Sequence, residues 1–329
     1  MILTTLAAIG LLSPALGAPV KLNRTFIKGE KLRYDVKSTI NAEARQLGLE
    51  TWMPEDFDIQ YQFTTEVVEM KADGIADLKY LRPTTTEIAG ETAARPPQKK
   101  IDKTNLDMLL TVTPVNEILK IKDLAKKDPP AKPAAKPKPP VRWIVPETGL
   151  PPQDTLSQIL GTFVGEIYRL SLFLGPLDSS LDFSPKLPFD EVEVGETWKR
   201  TAGYSPQKLQ GKGDKLAVQR MDYTYTYVGV LESQGKTVHR ITADIELKTD
   251  LAEFVHQTYG VKSDVTGLKE IPLEFKGKLE FDLELKSHRT LRAFGTSEGG
   301  YKVMVVQLPN QPVQEEKFKG RTILKLVNP

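Results

Sequence analysis

The segment Gly-Thr-Ser-Glu-Gly at residues 295–299 matches the G-x-S-x-G pattern of serine hydrolases. In those enzymes the serine lies on a strained strand-to-helix turn, and a histidine later in the chain acts as its base. Here both flanking segments alternate as β-strands do, and no histidine follows Ser297. The pattern therefore predicts the turn of a β-hairpin, and we assign no catalytic residue to it.

Side chains that could bind a metal or a cofactor are few. The three histidines, His239, His256 and His288, lack the i, i+4 spacing that places two imidazoles on one helix face. Glu280, Asp282 and Glu284 alternate with apolar residues and should share one face of a strand, where a solvated face explains them better than acid–base catalysis or calcium binding. The sequence predicts no metal ligand and no cofactor-binding residue.

A row of tyrosines, Tyr223, Tyr225 and Tyr227, repeats with period two and should point to one face of a strand. Such a row can stack on sugars or bases, but it is more often a cross-strand packing ladder. We therefore predict a packing role for it.

Alternation of apolar and polar residues, rich in Tyr, Thr, Val and Ile, continues along most of the chain from Thr25. This period predicts half-buried strands, and the Gly-bearing turns between them predict antiparallel meanders. The predicted turns lie at Lys71–Gly74, at Pro114–Glu117, at Gln234–Gly235 and in the segment after Phe294. We expect a mainly β (α+β) fold that forms either two related β-lobes or a half-open barrel.

One segment departs from this alternation. Apolar residues from Leu156 to Leu174 recur at helical spacing, Thr155 and Gln158 form a capping box, and Gly175-Pro176 ends the pattern. We predict one apolar helix packed against the sheet. If it covers a groove for a lipid-like ligand, the groove residues are Phe163, Ile167 and Leu170; otherwise these side chains fill the core.

Residues 126–142 are rich in Pro, Ala and Lys, a composition that predicts an extended, solvated linker. It separates an N-terminal β-lobe (residues 18–125) from a helix and C-terminal β-lobe (residues 143–329). An alternative role is contact with envelope polymers or lipids through three lysines, Lys132, Lys136 and Lys138. Outside this basic region the chain is mildly acidic, although its total net charge is +2, so a nucleic-acid partner is not expected.

The first seventeen residues resemble an export signal, with an apolar run from Ile2 to Leu12 and small residues before Ala18. We expect cleavage after Gly17 and a periplasmic or extracellular location. No later segment is apolar for long enough to span a membrane as a helix, and the absence of cysteine excludes disulfides.

Three further segments carry a family resemblance: F-x-K-G-E-K-L-R-Y from Phe26, V-V-E-M-K-A-D-G-I-A from Val67, and P-K-L-P-F-D-E-V-E-V-G-E-T-W from Pro185. Together with the export signal, they resemble a family of uncharacterised exported bacterial proteins, a domain of unknown function. The resemblance covers most of residues 26–248 and implies an exported β protein, with Trp198 as a core anchor.

These observations favour a binding or scaffolding protein of the bacterial cell envelope. A carrier of an apolar ligand, held in a groove between the helix and the curved sheet, is the alternative, and an unrecognised hydrolase is the second. The sequence does not predict an oligomeric state.

Overall fold

The described residues form one antiparallel β-sheet of fifteen strands. The computed structural model describes residues 18–48, 50–54, 56–90, 98–102, 106–124, 184–204, 219–252 and 267–328. The strands are β1 (Lys31–Gln46), β2 (Met53–Pro54), β3 (Phe57–Met70), β4 (Ala76–Arg82), β5 (Thr85–Ala89), β6 (Gln98–Asp102), β7 (Leu106–Val112), β8 (Ile118–Asp123), β9 (Thr197–Tyr204), β10 (Gln219–Ser233), β11 (Lys236–Asp250), β12 (Leu268–Glu270), β13 (Pro272–Glu284), β14 (Thr290–Val305) and β15 (Leu308–Asn328).

The two halves of the sequence share this sheet. Its main path runs β8-β7-β4-β3-β1-β15-β14-β13-β11-β10-β9, so the first and last long strands lie side by side at its centre. β1 and β15 pair from Arg33 opposite Asn328 to Gln46 opposite Gln314, with one register shift between Arg33 and Tyr34. The mainly β, antiparallel prediction is confirmed, and the long β1–β15 ladder joins both halves in one sheet. Whether residues 18–125 and 143–329 behave as separate domains stays a prediction.

Three predicted turns are confirmed. β3 and β4 are joined through Lys71–Gly74, where Asp73 has φ +58°. β10 and β11 are joined through Gln234 and Gly235, at φ +51° and +75°, and the turn between β7 and β8 contains Asn116 at φ +61°. Gly, Asn and Asp tolerate this left-handed conformation best.

The fourth predicted turn is wrong. Residues 295–299 lie inside β14, which runs without interruption from Thr290 to Val305. Gly299 is opposite Phe275 on one side and Phe318 on the other. A Cβ at Gly299 would lie 2.5 Å from the Glu274 carbonyl oxygen and 2.7 Å from the Phe318 ring. Glycine is therefore needed here for close packing, not for a turn.

The sheet is not closed into a barrel, because β8 and β9 each pair with a single strand. Two segments join its edges at one end, residues 18–30 and 184–196, which we call the closing segments. They bridge to each other between Val20 and Val192. Thr25 N–H donates to the Ser287 carbonyl at 2.9 Å, and Leu187 N–H donates to the Val115 carbonyl at 3.0 Å. The closing segments thus connect the β13–β14 turn with the β7–β8 turn.

Side chains complete this connection. The Trp198 indole N–H donates to the Lys186 carbonyl at 2.7 Å, and Arg200 on β9 lies 3.9 Å from the carboxylate of Glu117, which precedes β8. Residues near the two edges of the sheet therefore meet at this end, which means that the sheet is strongly curved. We call its concave, apolar side the inner face.

The predicted helix at residues 156–174 and the predicted linker at residues 126–142 lie outside the described residues. Within the described part of the chain, no helix is long and apolar enough to cross a membrane.

Candidate functional site

The inner face of the sheet carries most of the buried apolar side chains of the described strands. Along β1 every second side chain is buried from Leu32 to Ala44, whereas most of the residues between them are exposed. β13 shows the same alternation from Leu273 to Leu279. Since strands project successive side chains to opposite faces, the periodicity read from the sequence places one apolar face on the inside.

Aromatic rings pack along this face in two groups. Phe63 stacks between Tyr34, at 5.0 Å between centroids, and Tyr80, at 5.1 Å. Near the opposite edge of the sheet, Tyr225 stacks on Trp198 at 5.5 Å and on Tyr223 at 5.9 Å. The three tyrosines of β10 are at most 5% exposed, which confirms that they form a packing ladder.

Small residues occupy the centre of the inner face. Gly277 on β13 pairs with Ser297 on β14, which pairs with Gly320 on β15. Two residues away along these strands, on the same face, Gly295 pairs with Thr322, which pairs with Ser38 on β1. These six buried residues are the central trough: Ser38, Gly277, Gly295, Ser297, Gly320 and Thr322.

Larger apolar residues border the trough on both sides. On one side of the trough, two residues beyond Gly277 and Gly320, lie Phe275 and Phe318, with ring centroids 6.4 Å apart. Phe281 and Leu324 lie on the other side of the trough. Whatever packs against the trough can approach the backbone closely, because its floor lacks large side chains. Sequence analysis missed this feature because it assigned Gly295 and Ser297 to a turn.

Polar groups are sparse on this face. The Ser38 and Thr322 hydroxyls are 2.9 Å apart, and the Tyr301 hydroxyl donates to the Glu316 carboxylate at 2.5 Å. Arg82, at the end of β4, lies over the Tyr61 ring at 4.8 Å from its centroid. Burial raises the pKa of Tyr61 to about 12, although the Arg82 charge and hydrogen bond act in the opposite direction.

Two of the three histidines meet at the closed end of the sheet. The rings of His239 and His288 are 5.1 Å apart, and the Tyr227 hydroxyl lies 2.8 Å from His239 Nδ1. Burial, with a smaller contribution from His288, lowers the pKa of His239, and a backbone hydrogen bond at Leu285 opposes the shift. His288 Nδ1–H donates to the Asn23 carbonyl at 2.7 Å, which ties a closing segment to the sheet.

The sequence did not indicate this pair, because it depends on the register of β11 with β13. His256 lies outside the described residues. Among those that are described, no three His, Cys, Asp or Glu side chains are grouped so that they could hold a metal ion.

The carboxylates of β13 share the outer face, as expected, but not all are solvated. Asp282 is 2% exposed and accepts hydrogen bonds from Arg240 at 2.8 Å and Arg292 at 3.2 Å. Glu280 pairs with Arg292 at 3.1 Å. This network is an internally neutralised charge cluster, so it offers no free carboxylate for catalysis.

Six residues predicted to bind a ligand or a polyanion lie outside the described residues: Phe163, Ile167, Leu170, Lys132, Lys136 and Lys138. Their roles stay predictions.

Comparison with known proteins gives no family assignment. No family model matches the chain, and no curated protein matches it. Among solved structures, one titled for lipid–protein interactions in lipovitellin aligns with 92% of this chain at 10% identity and a TM-score of 0.41. The aligned region is 25% of that longer chain, so this protein spans about a quarter of it.

Two other structures are more distant. DynF, from the dynemicin biosynthesis pathway of Micromonospora chersina, aligns with 95% of this chain and 89% of its own at 8% identity and a TM-score of 0.23. A DUF1329 family protein from Desulfovibrio piger covers 89% of this chain and 85% of its own at 8% identity and a TM-score of 0.14. Scores this low do not establish a shared fold, and membership of an uncharacterised exported family is not established.

Proposed function

We propose that the protein binds an apolar, lipid-like molecule on the inner face of its sheet, as an exported protein of the bacterial cell envelope. The observation that carries this proposal is the length of the apolar surface. Leu32 and Ala42 both belong to the inner face and are ten residues apart on β1, or ~33 Å at the usual rise of a strand. The hydrogen bonds of the closing segments lie at the Leu32 end.

Burial of this surface needs a cover, because apolar area left in water costs roughly 25 cal/mol per Å². The apolar segment at residues 156–174 is the candidate that the sequence offers. In our proposal Phe163, Ile167 and Leu170 face the central trough, and the ligand lies between them and the sheet. Because the floor of the trough carries only glycine, serine and threonine side chains, an acyl chain or a molecule of similar width could approach the sheet closely there.

A scaffolding role is the second candidate. Phe63 already stacks between Tyr34 and Tyr80, so part of the inner face is filled by the chain's own side chains. If residues 156–174 fill the remainder, the protein has a solid core and no ligand, and it would act through its outer surface.

A pair of substitutions on β1 separates these candidates. Ala42 is 1% exposed on the inner face, whereas Asn41 is exposed on the outer face. In a ligand groove, Ala42→Trp should reduce binding of the neutral dye Nile red several-fold with little loss of stability, and Asn41→Trp should bind like the wild type. In a filled core, Ala42→Trp should cost about 1–3 kcal/mol of unfolding free energy, and even the wild type should not bind the dye.

Export and contact with envelope polyanions are also part of this proposal. They rest on the apolar run before Ala18 and on the basic residues Lys132, Lys136 and Lys138. The amino terminus of protein recovered from the envelope of the native host should be Ala18 or Pro19. An intact Met1 on that protein would refute export by this signal.

A further inference from the structure

Arg82 places a positive charge on the inner face. It follows Tyr80 by two residues in β4, so both side chains point to the same side of the sheet. Tyr80 is 1% exposed and stacks on Phe63 of the inner face. The Arg82 guanidinium lies over the ring of Tyr61, which is 6% exposed.

Four other described arginines near the core have carboxylate partners within the chain. Arg240 and Arg292 pair with Asp282, and Arg24 and Arg289 pair with Glu30. Each of these pairs neutralises a cation that would be expensive to bury alone.

Arg82 differs from them in its ion pairs. Its buried Nε makes no hydrogen bond in the described part of the chain, as is also true of Nε in Arg24 and Arg289, but unlike those two Arg82 forms no ion pair with a described carboxylate. Asp107, on the neighbouring strand β7, is opposite Leu81 and therefore projects to the other face of the sheet, where it lies 3.9 Å from Lys79. Tyr61 does not neutralise Arg82, because burial raises the pKa of its phenol to about 12 and keeps it uncharged at physiological pH. A half-buried cation on an apolar face, with no carboxylate partner among the described residues, is well placed to bind an anion.

We propose that Arg82 binds the anionic end group of the apolar ligand, a carboxylate or a phosphate. This inference rests on the proposed function and adds the chemical class of the ligand, an amphiphile with an acidic end. Guanidinium is suited to both groups, since its planar donors form paired hydrogen bonds with their oxygens. The Tyr61 ring holds the guanidinium by a cation–π contact.

The test compares three competitors that share one acyl chain and differ in their end group: oleate, oleyl phosphate and oleyl alcohol. Each is titrated against Nile red bound to the full-length protein. We expect one or both acidic competitors to displace the dye at about 10- to 100-fold lower concentration than the alcohol. The more effective acid identifies the preferred end group.

Substitutions then assign the preference to Arg82. Arg82→Gln should remove most of the difference between acid and alcohol, and Arg82→Lys should keep part of it. Lys37→Gln is the matched control, because Lys37 is exposed on the outer face of β1. Should Arg82→Gln fail to fold, Arg82→Met retains the aliphatic stem over Tyr61 and removes the charge.

The outcomes are distinguishable. Equal displacement by acid and alcohol in the wild type, or an unchanged preference in the charge-removing variant, would overturn the role of Arg82 and leave apolar binding intact. A wild type that binds neither Nile red nor any competitor would overturn the proposed function itself.

Discussion

Asp282 and Arg82, two charged residues of this sheet, lie in environments that predict different behaviour. Asp282 on the outer face is enclosed by Arg240 and Arg292, so its charge is neutralised within the chain. Arg82 on the inner face has no such carboxylate partner among the described residues. The first arrangement is typical of a structural ion-pair network, and the second is typical of a position that meets a ligand.

Removal of the Asp282 charge should therefore destabilise the fold. Asp282→Asn leaves the partly exposed Glu280 as the one described carboxylate that pairs with Arg240 and Arg292, and we expect a loss of about 3 kcal/mol in unfolding free energy, measured by urea denaturation. Asp244→Asn is the control, because Asp244 forms an exposed pair with Lys278 and should change stability by less than about 0.5 kcal/mol. Equal effects of the two substitutions would show that the Asp282 network does not contribute to stability.

The histidine pair predicts a pH dependence. Because the pKa of His239 is lowered in the folded state, the unfolded state binds a proton more readily as the pH falls. The stability that neutral His239 contributes should be complete above the unfolded pKa of 6.5. It should decline as the pH falls from there through the lower pKa of the folded state. Urea midpoints measured between pH 7 and pH 5 should fall less steeply in His239→Gln than in the wild type. Identical slopes would contradict this assignment.

At the scale of elements, β14 is the strand in which close packing depends most clearly on glycine. Gly299→Ala would place a methyl group against the Glu274 carbonyl and the Phe318 ring, and it should cost about 1–3 kcal/mol. Glu298→Ala, at the exposed neighbouring position, should change stability by less than about 0.5 kcal/mol. If Gly299→Ala proves as mild as the control, residues 295–299 form a flexible turn after all.

The strands were largely predictable, because the alternation of apolar and polar residues determines which face of a strand is buried. Phe57–Met70 forms one strand as its pattern indicates, and the turns at Asp73 and Gln234 carry recognisable turn residues. The pairing of β1 with β15 was not predictable, since local sequence does not specify which distant strand will be a neighbour. The glycines of β14 were misassigned because the same residue serves turns and close packing.

The site was less predictable than the fold. Arg82 lies in a segment that alternates like any other strand, and only its position beside Tyr61 and away from a carboxylate distinguishes it. His239 and His288 approach each other through pairing of β11 with β13, which no sequence spacing indicates. The groove residues Phe163, Ile167 and Leu170 stay a prediction.

At the scale of the whole molecule, the sheet has two properties that fit the proposed ligand binding. It is joined edge to edge at one end through the closing segments, yet β8 and β9 do not pair, so the sheet is not a closed barrel. Its inner face remains apolar along ~33 Å of β1, with small residues at its centre. In the proposed function, an elongated apolar molecule lies along this face.

The most direct test of this account is native mass spectrometry of the purified full-length protein, followed by solvent extraction of any bound molecule. We predict a protein population whose mass exceeds that of the polypeptide by one apolar molecule with an acidic end group, and loss of this species in Ala42→Trp. A single species at the polypeptide mass, with no extractable lipid and no Nile red binding, would contradict ligand binding and favour a scaffold with a filled core.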